Sequence, residues 1–294
     1  VILGSGVCEA PQHIAFEKGL WEQAGLNVQL KKAGAEEDTQ AAVGSGKYAA
    51  TNGIFFSWLG PIYNGVDVKL STGLHQGCLR LVVPTDGPIT EVEQLKGKKI
   101  GVSSLQGSAT NFFALDLLDA GISSDPAHKQ VEWVVIENDL LPEALAKGQV
   151  DAIAASDPIA LKATYDGSAY ELTNNRQGAN AQEFCCAIAI NGQFVREDPV
   201  TARKFVTAWA EGSRWVGANL EETARIQSEK NYVAASAADI LPQLQSYGFE
   251  PSSNKLRDAL VPGIEKFKKT GFLKESADAS TLADRVFVDL DLNW

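Results

Sequence analysis

The sequence predicts an α/β protein of two lobes joined by a two-segment hinge, and three observations carry that reading. One phrase is written twice, as Ala42-Val43-Gly44-Ser45-Gly46-Lys47-Tyr48-Ala49-Ala50-Thr51-Asn52 and as Ala144-Leu145-Ala146-Lys147-Gly148-Gln149-Val150-Asp151-Ala152-Ile153-Ala154. Each copy reads as a helix end, a glycine suited to a left-handed C-cap, and a short strand. β-like and helix-like segments alternate as far as Ile190, after which the pattern turns almost wholly helical, as in an α/β core with a helical C-terminal wrap. A chain of 294 residues is also long enough for two domains with a core each. Two lobes of similar build imply a cleft between them, and clefts at domain interfaces are where small molecules bind.

The elements follow in order. Val1-Ile2-Leu3 reads as a strand, and Gly4 to Gln12 as a loop. A helix runs from Pro11, suited to a first turn, to Ala24, with Ile14, Leu20 and Trp21 near one face. Gly25 stops it, and Leu26 to Leu30 alternates as a strand. A helix from Ala35 to Val43 enters through the acidic turn Glu36-Glu37-Asp38. Tyr48–Asn52 is a strand, Phe55–Asn64 a short helix, and Val66–Thr72 and Leu79–Val83 are strands, the last ended by Pro84. In the second stretch, strand Ile100–Val102 leads through a polar loop to a helix from Ala109 to Ala120, capped by Gly121. Strand Val131–Ile136, helix Leu140–Lys147 and strand Asp151–Ala155 follow, and Ser156-Asp157-Pro158 opens a further helix. Phe184–Ile190 is apolar and β-like, placed where the chain returns to the first lobe. Helices then cover Ala202–Ala218, Leu220–Asn231, Ala237–Tyr247 and Lys255–Thr270. Lobe 1 is therefore expected to hold residues 1–82 and 189–294, and lobe 2 residues 83–188.

A net charge of −11 and a pI of about 4.8 argue against nucleic acid and anionic membrane surfaces as partners. No apolar run approaches the length of a membrane span. A start at Val1, with neither initiator methionine nor leader, is what a processed secreted protein would show. Four cysteines are too few for a disulfide scaffold.

Ligands of open α/β sheets bind beyond the carboxyl ends of strands. That rule selects Cys8, Glu9, Gln12, Thr51, Asn52, Gly53, Ser103, Thr110, Ser156 and Asp157 as cleft candidates. The loop Ser103-Ser104-Leu105-Gln106-Gly107-Ser108 adds Gln106 and Ser108, because hydroxyls and free N–H groups at a helix start suit an anionic or strongly polar group. The alternative for Ser108 is simple N-capping. Phe55, Phe56 and Trp58 suit either a pocket wall or the core.

Leu74-His75-Gln76-Gly77-Cys78 is a polar, thiol-bearing piece ahead of an apolar strand, and His75 joins the ligand candidates. If Leu79–Val83 leads out of lobe 1 and Phe184–Ile190 leads back, Cys78 lies near Cys185 or Cys186, with one of that pair facing the cleft. Three readings stay open: buried inert cysteines, a disulfide tying the hinge, or a soft-metal or reactive-thiol site using His75, Cys78 and Cys186, with Cys8. His13 is expected on the solvent side of its helix, and His128 in a polar loop. No G-x-S-x-G elbow, P-loop or G-x-G-x-x-G fingerprint occurs, so neither catalytic residues nor a cofactor are expected.

The run from Pro11 to Val28 (PQHIAFEKGLWEQAGLNV) resembles the opening helix and strand of nitrate/sulfonate/taurine-type substrate-binding proteins of ABC transporters. Leu95–Val102, Gly148–Ala152, Asp157-Pro158, Asp198-Pro199 and Phe205–Trp215 are similar to that family in the same order. The resemblance implies a type II periplasmic-binding fold that closes on a small ligand and delivers it to an ABC permease. It implies a monomer in the periplasm or outside the cell, with or without a lipid anchor. It places ligand contacts at Cys8–Gln12, Thr51–Gly53 and Ser103–Thr110. No Arg or Lys stands in these loops, and Glu9 adds a negative charge, so a zwitterion, amine or heterocycle competes with a simple oxyanion. The same fold serves a thiamin-pyrimidine branch, which includes a synthase with a cysteine-rich motif that Phe184-Cys185-Cys186 resembles. A thiol- or metal-dependent enzyme is therefore the alternative function.

Overall fold

A computed structural model describes residues 1–34 and 37–294. Among them run eight strands: β1 (Ala50–Gly53), β2 (Val68–His75), β3 (Leu79–Pro84), β4 (Lys99–Val102), β5 (Glu132–Val135), β6 (Ala152–Ser156), β7 (Ala169–Asn174) and β8 (Cys186–Asn191). The helices of the first part are α1 (Ala10–Glu17), α2 (Leu20–Gln23), α3 (Thr39–Gly44), α4 (Phe55–Tyr63), α5 (Ser108–Asp119), α6 (Leu141–Ala146) and α7 (Ile159–Lys162). The wrap consists of α8 (Gly192–Glu197), α9 (Pro199–Ala218), α10 (Leu220–Glu229), α11 (Ala237–Gln245), α12 (Ser253–Lys268) and α13 (Ala279–Val286).

The strands form two sheets, and the chain crosses between them twice. The first sheet has the order β1-β8-β2, all antiparallel, and the second has the order β5-β4-β6-β3-β7, parallel at β5-β4-β6 and antiparallel around β3. The outward crossover is short, His75 to Leu79, and the return runs from Asn174 to Cys186. All of β3 pairs in the second sheet, so the expected lobe boundary at residues 82/83 would cut through a strand. The two copies of the repeated phrase deliver one strand to each sheet: α3 leads through Gly46 (φ +79°) to β1, and α6 leads through Gly148 (φ +66°) to β6. Glycine tolerates this left-handed backbone, which lets the chain reverse directly after a helix.

Several expected elements change. The first helix breaks at Gly19 (φ +63°) into α1 and α2. Leu26–Leu30 makes no strand ladder; the segment reaches the sheet through one parallel bridge, Ile2 to Lys31, while Ile2 N–H donates to Ala50 O at 3.1 Å. Part of the expected helix Ala35–Val43, including Glu36, lies outside the described residues; α3 starts at Thr39, because the Asp38 carboxylate accepts from Gln40 N and Ala41 N, a cap contributing about 1 kcal/mol. Strand β7 and helix α13 were not read from the sequence at all. His13 is fully buried rather than solvent-facing: its Nε2 lies 3.0 Å from Gly4 O, Gln227 meets its Nδ1, and its ring stacks on Tyr232 at 4.1 Å. Burial pushes its pKa down to about 4.

The helical tail closes over the first sheet. Bridges Gly73–Ser252, Gln76–Gly248 and Leu70–Phe287 stitch it to β2. Trp21 stacks on Phe205 and both meet Trp209 edge-to-face between α2 and α9, with ring centroids 5.5 to 5.6 Å apart. One apolar cluster runs from these residues through Phe55 and Phe267 into Phe112, Phe113 and Phe184 beside the second sheet; a separate, smaller one holds Val82, Leu141, Leu145 and Ile153 on that sheet's far face. Phe184 lies against Gly73, where a Cβ would fall 2.2 Å from the ring. No helix among the described residues is long and apolar enough to cross a membrane.

Candidate ligand-binding cleft

The carboxyl end of β1 and the start of α5 face one another across a polar cavity of about 390 Å³. The first lobe contributes Glu37, Asp38, Thr51, Asn52, Gly53 and Trp58, and the second contributes Ser104, Gln106, Gly107 and Ser108. Sequence fixes both walls locally. Strand β1 ends in Thr51-Asn52-Gly53, with the Trp58 indole beside Gly53. In the opposite wall Thr110 Oγ1 donates to Ser104 O at 2.6 Å, and Gln106 N donates to Ser104 Oγ at 3.2 Å. The N-cap of α5 is Gly107, with no side-chain cap. Ser108 therefore sits one position inside the helix and does not cap it, and the first-turn N–H groups keep the partial positive charge of a helix start.

The lobes touch beside this cavity. Asn111 Nδ2 donates to Ser57 Oγ and to Gln106 O, both at 3.0 Å, pinning the second-lobe loop and reaching the first lobe with one amide. The sequence reading missed Asn111; its signal was an amide one turn into a helix that follows a Ser-rich loop. Elsewhere Ser124 Oγ donates to Thr270 O at 3.1 Å, and Lys266 donates to Asp119 at 2.6 Å.

The predicted residues divide into groups. Asn52, Gly53, Gln106 and Ser108 meet at the cavity. Ser103 is exposed next to the loop, and Thr110 is buried beneath it. Glu9 is not among the residues lining the cavity, and neighbours Asn52, which is. Gln12 is turned away: its Oε1 accepts from Gly4 N at 3.1 Å and its Nε2 donates to Ile2 O at 2.8 Å, so the amide is spent on closing the first loop. Phe55 and Phe56 are core.

His75 and Asp157 belong to the crossovers. The His75 ring is fully buried, with Nε2 2.9 Å from Cys8 O, Nδ1 3.3 Å from Gln76 O, and Tyr247 stacked on it. Burial pushes its pKa down to about 4, so the ring is neutral. Only one nitrogen of the neutral ring can donate, but both face backbone carbonyls inside the core and neither is turned toward the cavity. Asp157 holds Arg80, whose Nε and Nη2 donate at 2.9 to 3.1 Å, and accepts from Tyr247 OH at 2.6 Å. Arg80 also reaches Glu171 and Ser246. This buried network ties β3, β6 and β7 of the second sheet to the end of α11. Burial raises the Asp157 carboxyl, and the guanidinium and Tyr247 oppose it.

All four cysteines are free and buried, and they gather at the crossovers. Cys78 has Cys8, Cys185 and Cys186 as neighbours together. Both members of the adjacent pair reach it because Cys185 precedes β8 and escapes the strand alternation. Gly77 and Cys78 both have left-handed φ, 93° and 95°. Among the described residues no group of three or more metal-ligating side chains is arranged to hold an ion, which corrects the candidates His75, Cys78 and Cys186. Burial works to raise the Cys185 thiol, and the neighbouring Cys186 and Cys78 thiols outweigh it and lower its pKa.

Two sheets, a double crossover and a polar cavity between a strand end and a helix start give this chain the periplasmic-binding-protein fold. The chain belongs to the NMT1/THI5-like family, whose model matches residues 9–223. No curated protein matches the sequence. Among solved structures it is similar to the alkanesulfonate-binding protein SsuA from Xanthomonas axonopodis pv. citri bound to MOPS, with 18% identity, TM-score 0.78, and coverage of 98% of this chain and 97% of that one. The periplasmic nitrate-binding protein NrtA from Synechocystis PCC 6803 aligns at 16% identity and TM-score 0.75, covering 97% and 85%. The desulfurization enzyme DSZB aligns at 15% identity and TM-score 0.65, covering 99% and 95%.

Proposed function

We propose that this protein is an extracytoplasmic solute-binding protein that captures a small polar ligand between its lobes and presents the closed form to an ABC permease. The observation that carries the reading is the cavity itself, with Asn52 and Gly53 from one sheet facing Gln106 and Ser108 from the other. A ligand touching both walls favours the closed arrangement by its differential affinity for it. Family membership and the sulfonate- and nitrate-binding structures support the same reading. The protein acts as a monomer, and its acidic surface is suited to neither nucleic acid nor anionic membranes.

The alternative of a thiol enzyme is less well supported. Cys8, Cys78, Cys185 and Cys186 are each no more than 8% exposed, and none lines the cavity. Small-angle scattering with and without candidate solutes tests the proposal. Compaction by a solute, lost on Asn52→Ala or Gln106→Ala, is the expected outcome; a chain whose dimensions no solute changes would remove the main support.

A further inference from the structure

Among the described residues lining the cavity there is no lysine or arginine, while Glu37 and Asp38 both stand there. Those two carboxylates already have partners. Glu37 meets Lys47 and accepts from Tyr48 OH, and Asp38 caps α3. Glu9 is different. Its Oε2 is buried without any hydrogen-bond partner. Its neighbour Asn52 forms part of the cavity wall. The side chain is seated there by Gly4, where a Cβ would fall 2.2 Å from Glu9 Cγ and 2.7 Å from Oε1. Burial pushes the carboxyl well above its ordinary value, the Cys8 thiol adds to the rise, and the neighbouring Asn52 side chain opposes it.

Burial disfavours the ionised form of this unpartnered carboxyl, and a positive charge brought against it offsets that cost and favours ionisation. A negative charge at the same place offers no such pairing and opposes ionisation further. The structure therefore separates this cleft from one built for a bare oxyanion. We propose, resting on the binding-protein reading above, that the solute selected here carries a cationic nitrogen head, an ammonium or guanidinium, that pairs with Glu9 beside Asn52. Acceptors elsewhere on the solute meet the uncapped first turn of α5.

A head-group series on one butyl tail tests this: butylammonium, butylguanidinium, butanol and butanesulfonate, with nitrate as a further probe, each titrated calorimetrically into the purified protein. The two cations are expected to bind roughly tenfold or more tightly than butanol, the worth of one charge-assisted hydrogen bond, and the two anions more weakly still. Glu9→Gln should erase the preference and Glu9→Asp should keep it. Tighter binding of butanesulfonate or nitrate than of either cation overturns the proposal while leaving a solute-binding cleft in place. So does unchanged cation affinity in a Glu9→Gln protein that melts like the wild type. Should no probe of either charge bind, the head-group proposal falls, and if scattering also shows no compaction the binding-protein reading falls with it. The wild-type series decides alone if Glu9→Gln fails to fold.

Discussion

Asp116 sits on α5 facing the first lobe, and replacing it with asparagine should stabilise the protein at high pH and do nothing at low pH. Asn180 Nδ2 donates to Asp116 Oδ1 at 2.7 Å and to Asp119 Oδ2 at 2.9 Å; Lys266 of α12 donates to Asp119 Oδ2 at 2.6 Å and to Asn180 Oδ1 at 2.7 Å. The lysine thus serves Asp119 directly and Asp116 only at a distance. Burial raises the Asp116 pKa from 3.8 to about 7, with Asn180 and Lys266 opposing and Asp119 reinforcing the rise. A carboxyl whose folded pKa lies above its unfolded value favours folding fully below the unfolded pKa, and that advantage drains away as pH climbs to the folded pKa. The window here runs from 3.8 to about 7. Three or so units correspond to a ceiling of about 4 kcal/mol, and partial access of water to the carboxyl reduces this to about 2 kcal/mol. Asp116→Asn keeps an oxygen for Asn180 and removes the charge. Urea unfolding of wild type and variant at pH 4 and pH 8 reads the difference. Expected is no gap at pH 4 and about 2 kcal/mol in favour of the variant at pH 8. An equal gap at both values, or a less stable variant at pH 8, would refute the reasoning.

Three further outcomes follow from the same geometry. Arg80→Met strands Asp157 in the core and should cost about 3–5 kcal/mol in denaturant unfolding, with part of the loss recovered by adding Asp157→Asn. Asn111→Ala removes the amide that joins Ser57 to the Gln106 loop; about 1–3 kcal/mol of stability should go, along with solute affinity measured by calorimetry. Gly212→Ala places a Cβ 2.4 Å from Pro11 O where α9 crosses α1, and thermal melts should show a loss of about 1–3 kcal/mol or more.

The elements most legible in sequence were those whose signal is local. The Gly46 and Gly148 reversals, the Ser-rich loop before α5 and the strand ends at Asn52 and Gly53 each depend on a few neighbouring residues. What stayed hidden depends on partners distant in the chain. Arg80 lies inside an apolar run, and only Asp157 and Glu171 explain why a guanidinium is buried there. Gln12 stands near a strand end, yet Gly4 and Ile2 engage its amide before any ligand can. His13 has a helical position that periodicity alone sends outward, but Tyr232 and Gln227, from the far end of the chain, cover it. Strand β7 was missed because its ladder partner, β3, precedes it by a long stretch of sequence and its own polar residues look like a loop.

The apolar cluster shared by both sheets sets a limit on how this molecule can be divided. Phe112, Phe113 and Phe184 complete their burial against residues of the first lobe and its helical tail, so a fragment excised at the crossovers would turn a greasy flank to water. Either half grafted, swapped or expressed alone would lose that cover, and any movement of the lobes has to carry this packed seam with it.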